Sequence, residues 1–258
     1  MDAAYRTPLL ELFRRGEVPR DVRILAARGV LAPRAHEQVA LLMLLVGDED
    51  AGVRQAAEET LARIPLRPLE AFLARPDVGA EVREFFAARG VTAAAGATAD
   101  AADAPMVETP APEPAPARER AGATERLARL SVVDRLKVAM WGTREERTIL
   151  VRDHNRIIAA AVLSNPRVND AEIEAFARMP NVSEDVLRTI GNTRAWVKHY
   201  GVVQALTRNP KTPIAVSLAL LPRLIERDVR LITADRNVPE AVRVVAKRML
   251  VTEQSRRR

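Results

Sequence analysis

Ala161-Val-Leu-Ser-Asn-Pro166 is echoed by Ala205-Leu-Thr-Arg-Asn-Pro210. Each reads as the apolar end of a helix stopped by Asn-Pro, because proline lacks the N–H that would continue the ladder and disfavours helix at the residue before it. The two Asn-Pro marks lie 44 positions apart, from 165 to 209. Helix-pair units of about 40–47 residues supply the layers of stacked helical arrays. The spacing therefore predicts an all-α chain built as an α-solenoid of short stacked helices.

Composition agrees with that expectation. Of 258 residues, 48% are apolar but only 3% aromatic, so the core must be made of Leu, Val, Ile and Ala, which suits closely packed helices. There is no cysteine, which excludes disulfides, thiol catalysis and thiolate metal sites and fits a reducing compartment. The N-terminal Met1-Asp-Ala-Ala-Tyr-Arg has no basic and apolar signal pattern, and the longest apolar run, Val39 to Val46, is too short to span a bilayer. These features predict a soluble cytoplasmic protein that does not engage a membrane.

Residues 1–90 read as a small helical domain. Thr7-Pro8 opens a helix with Leu9, Leu10, Leu12 and Phe13 on one face, and Gly16 ends it. A second helix from Arg20 to Arg28 ends at Gly29. Ala35 to Val46 is the most apolar helix and the expected centre of this domain. Asp50 can cap the next, which runs to Ile64; two shorter helices follow near 68–74 and 79–88. Residues 91–123 change character, with proline at every second position from 110 to 116. Such a run favours extended polyproline II, so the stretch is expected to be a Pro/Ala-rich disordered linker.

Residues 124–258 read as a second helical domain. Leu127 to Met140 is amphipathic over its length, and Trp141-Gly142 ends it. Thr143-Arg-Glu-Glu146 is a capping box. Asn155, Asn169, Ser183, Thr212-Pro213 and Pro239 mark the starts of further helices. Each helix is too short to be stable alone and must stack.

A second recurrence supports a repeat. Val22-Arg23-x-x-Ala26, Val53-Arg54-x-x-Ala57 and Val242-Arg243-x-x-Ala246 share Val-Arg-x-x-Ala, and Val82-Arg83 and Val229-Arg230 share its first half. Asp50-Ala-Gly-Val53-Arg54-Gln-Ala-Ala57-Glu-Glu-Thr-Leu61 resembles the second helix of a HEAT repeat. Asn209-Pro210-Lys-Thr212-Pro213, followed by Leu218 to Leu221 and Asp228-Val-Arg230, resembles the leucine-rich repeat variant, a related stacked solenoid. The resemblance covers about half of the chain, in pieces, and the N-terminal spacings are shorter than a HEAT period. It implies a HEAT-like, armadillo-like helical architecture in both domains and no shared catalytic residues.

Catalytic signatures are missing from the sequence. His36, His154 and His199 stand apart without metal-ligand spacing, and no glycine-rich phosphate loop or nucleophile elbow occurs. Asp153-His154-Asn155 reads as a turn or cap. The expectation is a non-enzymatic protein without cofactor, metal or small-molecule ligand.

Charge is uneven. Residues 1–90 carry 13 basic and 14 acidic residues, whereas residues 124–258 carry 25 and 15, a net of +10. Arg144, Arg147, Arg152, Arg156, Arg188, Arg194, Lys198, Arg208 and Lys211 fall around helix ends and turns, where a stack can align them into a basic strip, with Arg256-Arg257-Arg258 at the tail. Trp196-Val-Lys198-His199-Tyr200 is the densest polar-aromatic cluster. It reads first as packing at a repeat junction and second as a docking hot spot. Two functions follow as expectations: a protein–protein interaction scaffold using the solenoid surface, or sequence-independent nucleic-acid binding through the Arg-rich C-terminal part.

Overall fold

The computed structural model describes residues 7–32, 34–93, 105–107 and 122–256, with side chains to residue 252. Every regular element among them is helical, and none is a strand. The chain divides into two compact units, Met1–Arg147 with Ser164–Pro166, and Thr148–Leu163 with Arg167–Arg258. Residues 124–147, grouped with the C-terminal part in the sequence reading, thus belong by contact to the first unit. The expected linker at 91–123 lies for the most part outside the described residues, as does the end of the basic tail.

The first unit holds α1 (Pro8–Arg14), α2 (Arg20–Ala27), α3 (Ala35–Val46), α4 (Ala51–Arg63), α5 (Leu66–Leu73), α6 (Ala80–Ala87), α7 (Ala123–Arg129) and α8 (Val132–Trp141). Thr7 caps α1, its Oγ1 accepting from the Leu10 N–H at 3.3 Å. Leu9, Leu10, Leu12 and Phe13 are all buried. Gly16 closes α1 with φ +69, a conformation open to glycine at little cost, and Glu17 then donates back to the Leu12 carbonyl at 3.2 Å. Asp50 caps α4 through the Val53 N–H at 3.1 Å. α3 is the buried centre, but it also buries two polar side chains, Glu37 and Gln38. Glu37 accepts from the hydroxyls of Thr7 at 2.7 Å and Ser164 at 3.1 Å.

One expected helix is two. The amphipathic stretch from Leu127 to Met140 breaks at Leu130, whose ψ of 148 is extended. Ser131 then caps α8, its hydroxyl accepting from the Asp134 N–H at 3.1 Å. A serine that can satisfy a free N–H at a new helix start competes with continuing the old one, and apolar periodicity does not register that competition.

α9 (Arg144–Leu150) begins with the expected capping box: Glu146 Oε2 accepts from the Thr143 N–H at 2.7 Å, and Thr143 Oγ1 from the Glu146 N–H at 3.4 Å. The boundary between the units falls within this helix. The remainder comprises α10 (Arg156–Ser164), α11 (Asp170–Arg178), α12 (Glu184–Asn192), α13 (Tyr200–Arg208), α14 (Ile214–Leu220), α15 (Glu226–Ala234) and α16 (Glu240–Arg256). Short 3-10 turns at Trp196–Lys198 and Leu221–Arg223 precede α13 and α15.

Within the second unit, α11 packs on α13 and α13 on α15, while α12 packs on α14 and α14 on α16. Side-chain bonds show that α11, α13 and α15 run parallel. At their starts, His199 Nε2 lies 3.1 Å from Asp170, and the Tyr200 hydroxyl donates to Asp228. At their ends, the Asn209 amide donates to the carbonyls of Ala177 at 2.7 Å and Met179 at 2.9 Å. The unit therefore has a start edge and an end edge. Gly191 permits the α12–α14 approach, because a Cβ there would overlap Val216.

The Asn-Pro echo has a physical basis. Asn165 and Asn209 each follow the last residue of a helix, and both are buried, at 1% and 4% exposure. Each donates its side-chain amide to carbonyls at the C-terminal end of an earlier helix, Asn165 to Ala139 of α8 at 3.1 Å. Helix C-terminal carbonyls lack intrahelical partners, and asparagine supplies the donor.

A further pattern recurs in both units. Val18/Val22, Val78/Val82, Val182/Val186 and Val238/Val242 are spaced by four, and all eight are buried. In each pair the first valine lies two residues before a helix and the second is its third residue, at α2, α6, α12 and α16. The pair pins the entry of the chain into the helix against the core, as an apolar residue just ahead of a helix cap does elsewhere.

Candidate interaction surface

The positions expected to form one basic strip are divided. Arg147 is buried at 4% exposure and donates to the Gly142 carbonyl at 2.9 Å, so it belongs to the packing of the α8–α9 corner. Buried guanidinium groups persist where their N–H groups find acceptors. Arg144 is exposed at the start of α9. Arg152 turns back on its own segment, Nε to the Thr148 carbonyl at 3.0 Å.

Several others are neutralised by neighbours. Arg156 Nε lies 2.6 Å from Asp185 Oδ2, and Arg208 lies 3.6 Å from Asp235. Arg188 pairs with Glu184 one turn earlier. That helical pairing repeats at Glu125–Arg129, Glu174–Arg178 and Glu226–Arg230. Exposed pairs of this kind contribute little stability. The net of +10 already subtracts these acids, so the pairs leave the excess unchanged and select which cations stay free.

Six of the free cations lie on two opposite edges, while Lys247 and Arg248 are exposed on α16. Lys211 and Arg236 sit in the turns after α13 and α15, on the end edge, exposed and without a side-chain partner among the described residues. Arg194, Lys198, Arg223 and Arg227 lie in or beside the turns before α13 and α15, on the start edge. All four are exposed, and none has a side-chain hydrogen bond or ion pair among the described residues.

The start edge also carries the aromatic cluster. Trp196 is partly exposed in the 3-10 turn. Tyr200 opens α13, and its hydroxyl is fixed from two sides: it donates to Asp228 and accepts from the Ile225 N–H at 3.2 Å. Burial of the hydroxyl and then its bond to the Asp228 carboxylate raise the Tyr200 pKa above the usual value. Tyr200 is thus a bridge between the starts of α13 and α15, while the residue stays 40% exposed.

Beside it lies a residue that the sequence reading passed over. Ile225 occupies the cap position of α15 and is 55% exposed. Helix caps favour Ser, Thr, Asp and Asn. An isoleucine there caps nothing and presents an apolar side chain to solvent beside Tyr200, with Arg223 and Arg227 two residues to either side. An apolar residue at a cap position was the signal that could have singled it out.

His154 is exposed, with Nδ1 3.5 Å from Asp153. Asp153 accepts from the Asn155 N–H at 2.8 Å, and Asn155 from the Ile157 N–H at 3.0 Å, so the triplet forms the turn into α10. No group of three His, Cys, Asp or Glu residues able to hold a metal occurs among the described residues. No helix among them is long and apolar enough to cross a membrane. No protein-family model, curated protein or solved structure matches the chain.

Proposed function

We propose that this chain is a non-catalytic protein-interaction scaffold, a HEAT-like α-solenoid whose second unit docks an acidic segment of a partner protein on its start edge. The observation that carries this reading is the composition of that edge: Arg194, Lys198, Arg223 and Arg227 are uncommitted within the protein and stand with the exposed Tyr200 and Ile225. Interface hot spots are enriched in aromatic residues and arginine. Mixed apolar and cationic character fits a peptide with Asp or Glu around an aliphatic anchor.

The test pans a random peptide library against the full chain and against an Arg194→Glu, Lys198→Glu variant. Enrichment of acidic sequences with an aliphatic anchor, lost in the variant, supports the reading. Equal enrichment on both proteins overturns it.

The positive balance of residues 124–258 favours a second reading, sequence-independent nucleic-acid binding. Its mark is binding of the full chain to random-sequence duplex that weakens steeply with salt. Division of the free cations among two edges and α16 favours the first reading, since duplex binding is served best by one contiguous charged face.

A further inference from the structure

Gln38 is fully buried, on α3, the apolar centre of the first unit. A primary amide in such a place is costly unless its hydrogen-bonding positions are filled. Here all four are used. Oε1 accepts from the backbone N–H groups of Met106 at 2.8 Å and Val107 at 3.1 Å. Nε2 donates to the carbonyls of Val107 and Gly29, each at 3.3 Å. Only the Gly29 bond involves the helical part of the unit. The other three come from Pro105-Met106-Val107, a short segment without regular secondary structure, 68 and 69 residues away along the chain.

The surroundings are shaped for that segment. Gly29 has φ +80, and a Cβ there would come 3.2 Å from Gln38 Nε2, 3.4 Å from Thr60 Cγ2 and 3.6 Å from Val107 Cβ. A Cβ at Gly29 would crowd the Gln38 amide and would lie at ordinary contact distance from Val107, whose side chain thus sits beside Gly29. Gln38 reads backbone alone, so what the socket demands of its occupant is two consecutive N–H groups and a small apolar residue at the second. Pro105, Met106 and Val107 are themselves only partly buried, so the segment lies at the surface of the unit.

We propose that the Gln38–Gly29 socket is a docking site for an extended peptide segment. In the isolated chain its own Pro105-Met106-Val107 fills it. The partner it fits is an extended protein segment of the same chemistry, with a β-branched apolar residue following another N–H-bearing residue, which competes with the internal occupant. This is the logic of strand-like peptide capture, in which main-chain bonds hold and one side-chain pocket selects, with a glutamine amide standing where a strand edge would. The site lies in the first unit and is independent of the start edge of the second.

The probe is a fluorescent peptide of residues 103–109, Asp-Ala-Pro-Met-Val-Glu-Thr, added to the full chain. A Val107→Pro substitution removes the N–H that Gln38 accepts and so empties the socket of its internal occupant. The variant, checked by its helical circular dichroism, is expected to bind the peptide at least about 10-fold more tightly than the native chain, and N-methylation of the valine in the peptide is expected to remove about 10-fold of that affinity, the size of one hydrogen bond to a buried group. Equal affinity for native and variant chains, or for methylated and unmethylated peptide, overturns the proposal. If the variant does not fold, hydrogen exchange on the native chain decides: the Met106 and Val107 amides are expected to exchange at least about 10-fold more slowly than free peptide, and unprotected amides overturn it. A native chain whose mass doubles with concentration, and whose Val107→Pro variant does not, shows that a second copy supplies the segment, which overturns the internal arrangement. The Arg194→Glu, Lys198→Glu chain is expected to leave all these results unchanged.

Discussion

The two edges of the second unit are made from the same kinds of residue and put them to different uses. On the end edge, buried Asn209 ties α13 to α11, and Arg208 and Arg156 meet Asp235 and Asp185. On the start edge, Tyr200 and His199 hold neighbouring helix starts through Asp228 and Asp170, while four cations and Ile225 remain unused by the protein. One edge holds layers together with buried amide bonds and paired charges. It leaves Lys211 and Arg236 free, whereas the other edge is held by partly exposed contacts and leaves four cations together with Tyr200 and Ile225 facing solvent. A surface for a partner is recognised by what the protein's own packing leaves unemployed, not by the density of charge in its sequence.

The largest test of that contrast is Asn209→Ala. It strips donors from the Ala177 and Met179 carbonyls and an acceptor from the Lys211 N–H. Unsatisfied buried groups of this kind cost about 1–3 kcal/mol each, so a loss of about 2–3 kcal/mol is expected in urea unfolding. Asn165→Ala takes the donor from the Ala139 carbonyl, a bond of 3.1 Å that is longer than either amide bond of Asn209, and should cost less. Equal losses would mean that the two Asn-Pro turns do not differ in the way their bonds imply. Next in size is Gly191→Ala. The new methyl overlaps Val216, and overpacking of this sort costs about 1–3 kcal/mol.

Tyr200→Phe sharpens the contrast at the start edge. Removing the hydroxyl takes a donor from the buried Asp228 carboxylate and an acceptor from the Ile225 N–H, a loss of about 1 kcal/mol at neutral pH. Because the folded-state pKa of Tyr200 is raised above 10.0, the stability linked to it is fully present below that value and is lost as pH rises through the higher folded value. The alkaline limb of a stability–pH curve should therefore flatten in the variant. An unchanged limb would place the bridge outside the folding equilibrium. Arg194→Glu with Lys198→Glu should leave the melting temperature almost unmoved, since neither side chain has a partner among the described residues; a clear destabilisation would show that the edge is structural.

The smallest effect is expected in the first unit. The hydrogen bond from Arg20 and then that from the Val53 N–H hold the Asp50 carboxyl down to about 2, from an ordinary 3.8. Its contribution is complete above the ordinary value and disappears as pH falls from there through about 2. Asp50→Asn should slightly flatten the acid limb of the stability curve. Arg20 is exposed and Asp50 partly so, so added salt should shrink the difference further.

Much of the helix pattern was legible because it depends on neighbours within four residues. Thr7, Asp50 and the Thr143–Glu146 box cap as their sequences imply, a helix starts at Asn169, and α3 runs over the residues its apolar stretch marks. The break at Leu130–Ser131 was missed because apolar spacing continues through it while a serine cap interrupts it. The repeated Val-x-x-x-Val entry was equally present in the sequence, hidden behind the more conspicuous Val-Arg pairs.

The candidate surface was legible only as a set of residue types. That Arg147 is buried, that Arg156 and Arg208 meet aspartates 29 and 27 positions on, and that Arg194 and Lys198 meet nothing depend on which helices become neighbours. Ile225 gained its meaning from Tyr200, 25 positions earlier, and Gln38 from Val107, 69 positions later. Residue order determined the all-helical character, most helix starts and ends, and the two asparagine turns, because caps, stops and amphipathic spacing are short-range and act on a single segment. The choice of paired and unpaired charges, the two edges and the filled socket came from packing, because a side chain's partner is settled by long-range neighbours that local pattern does not encode.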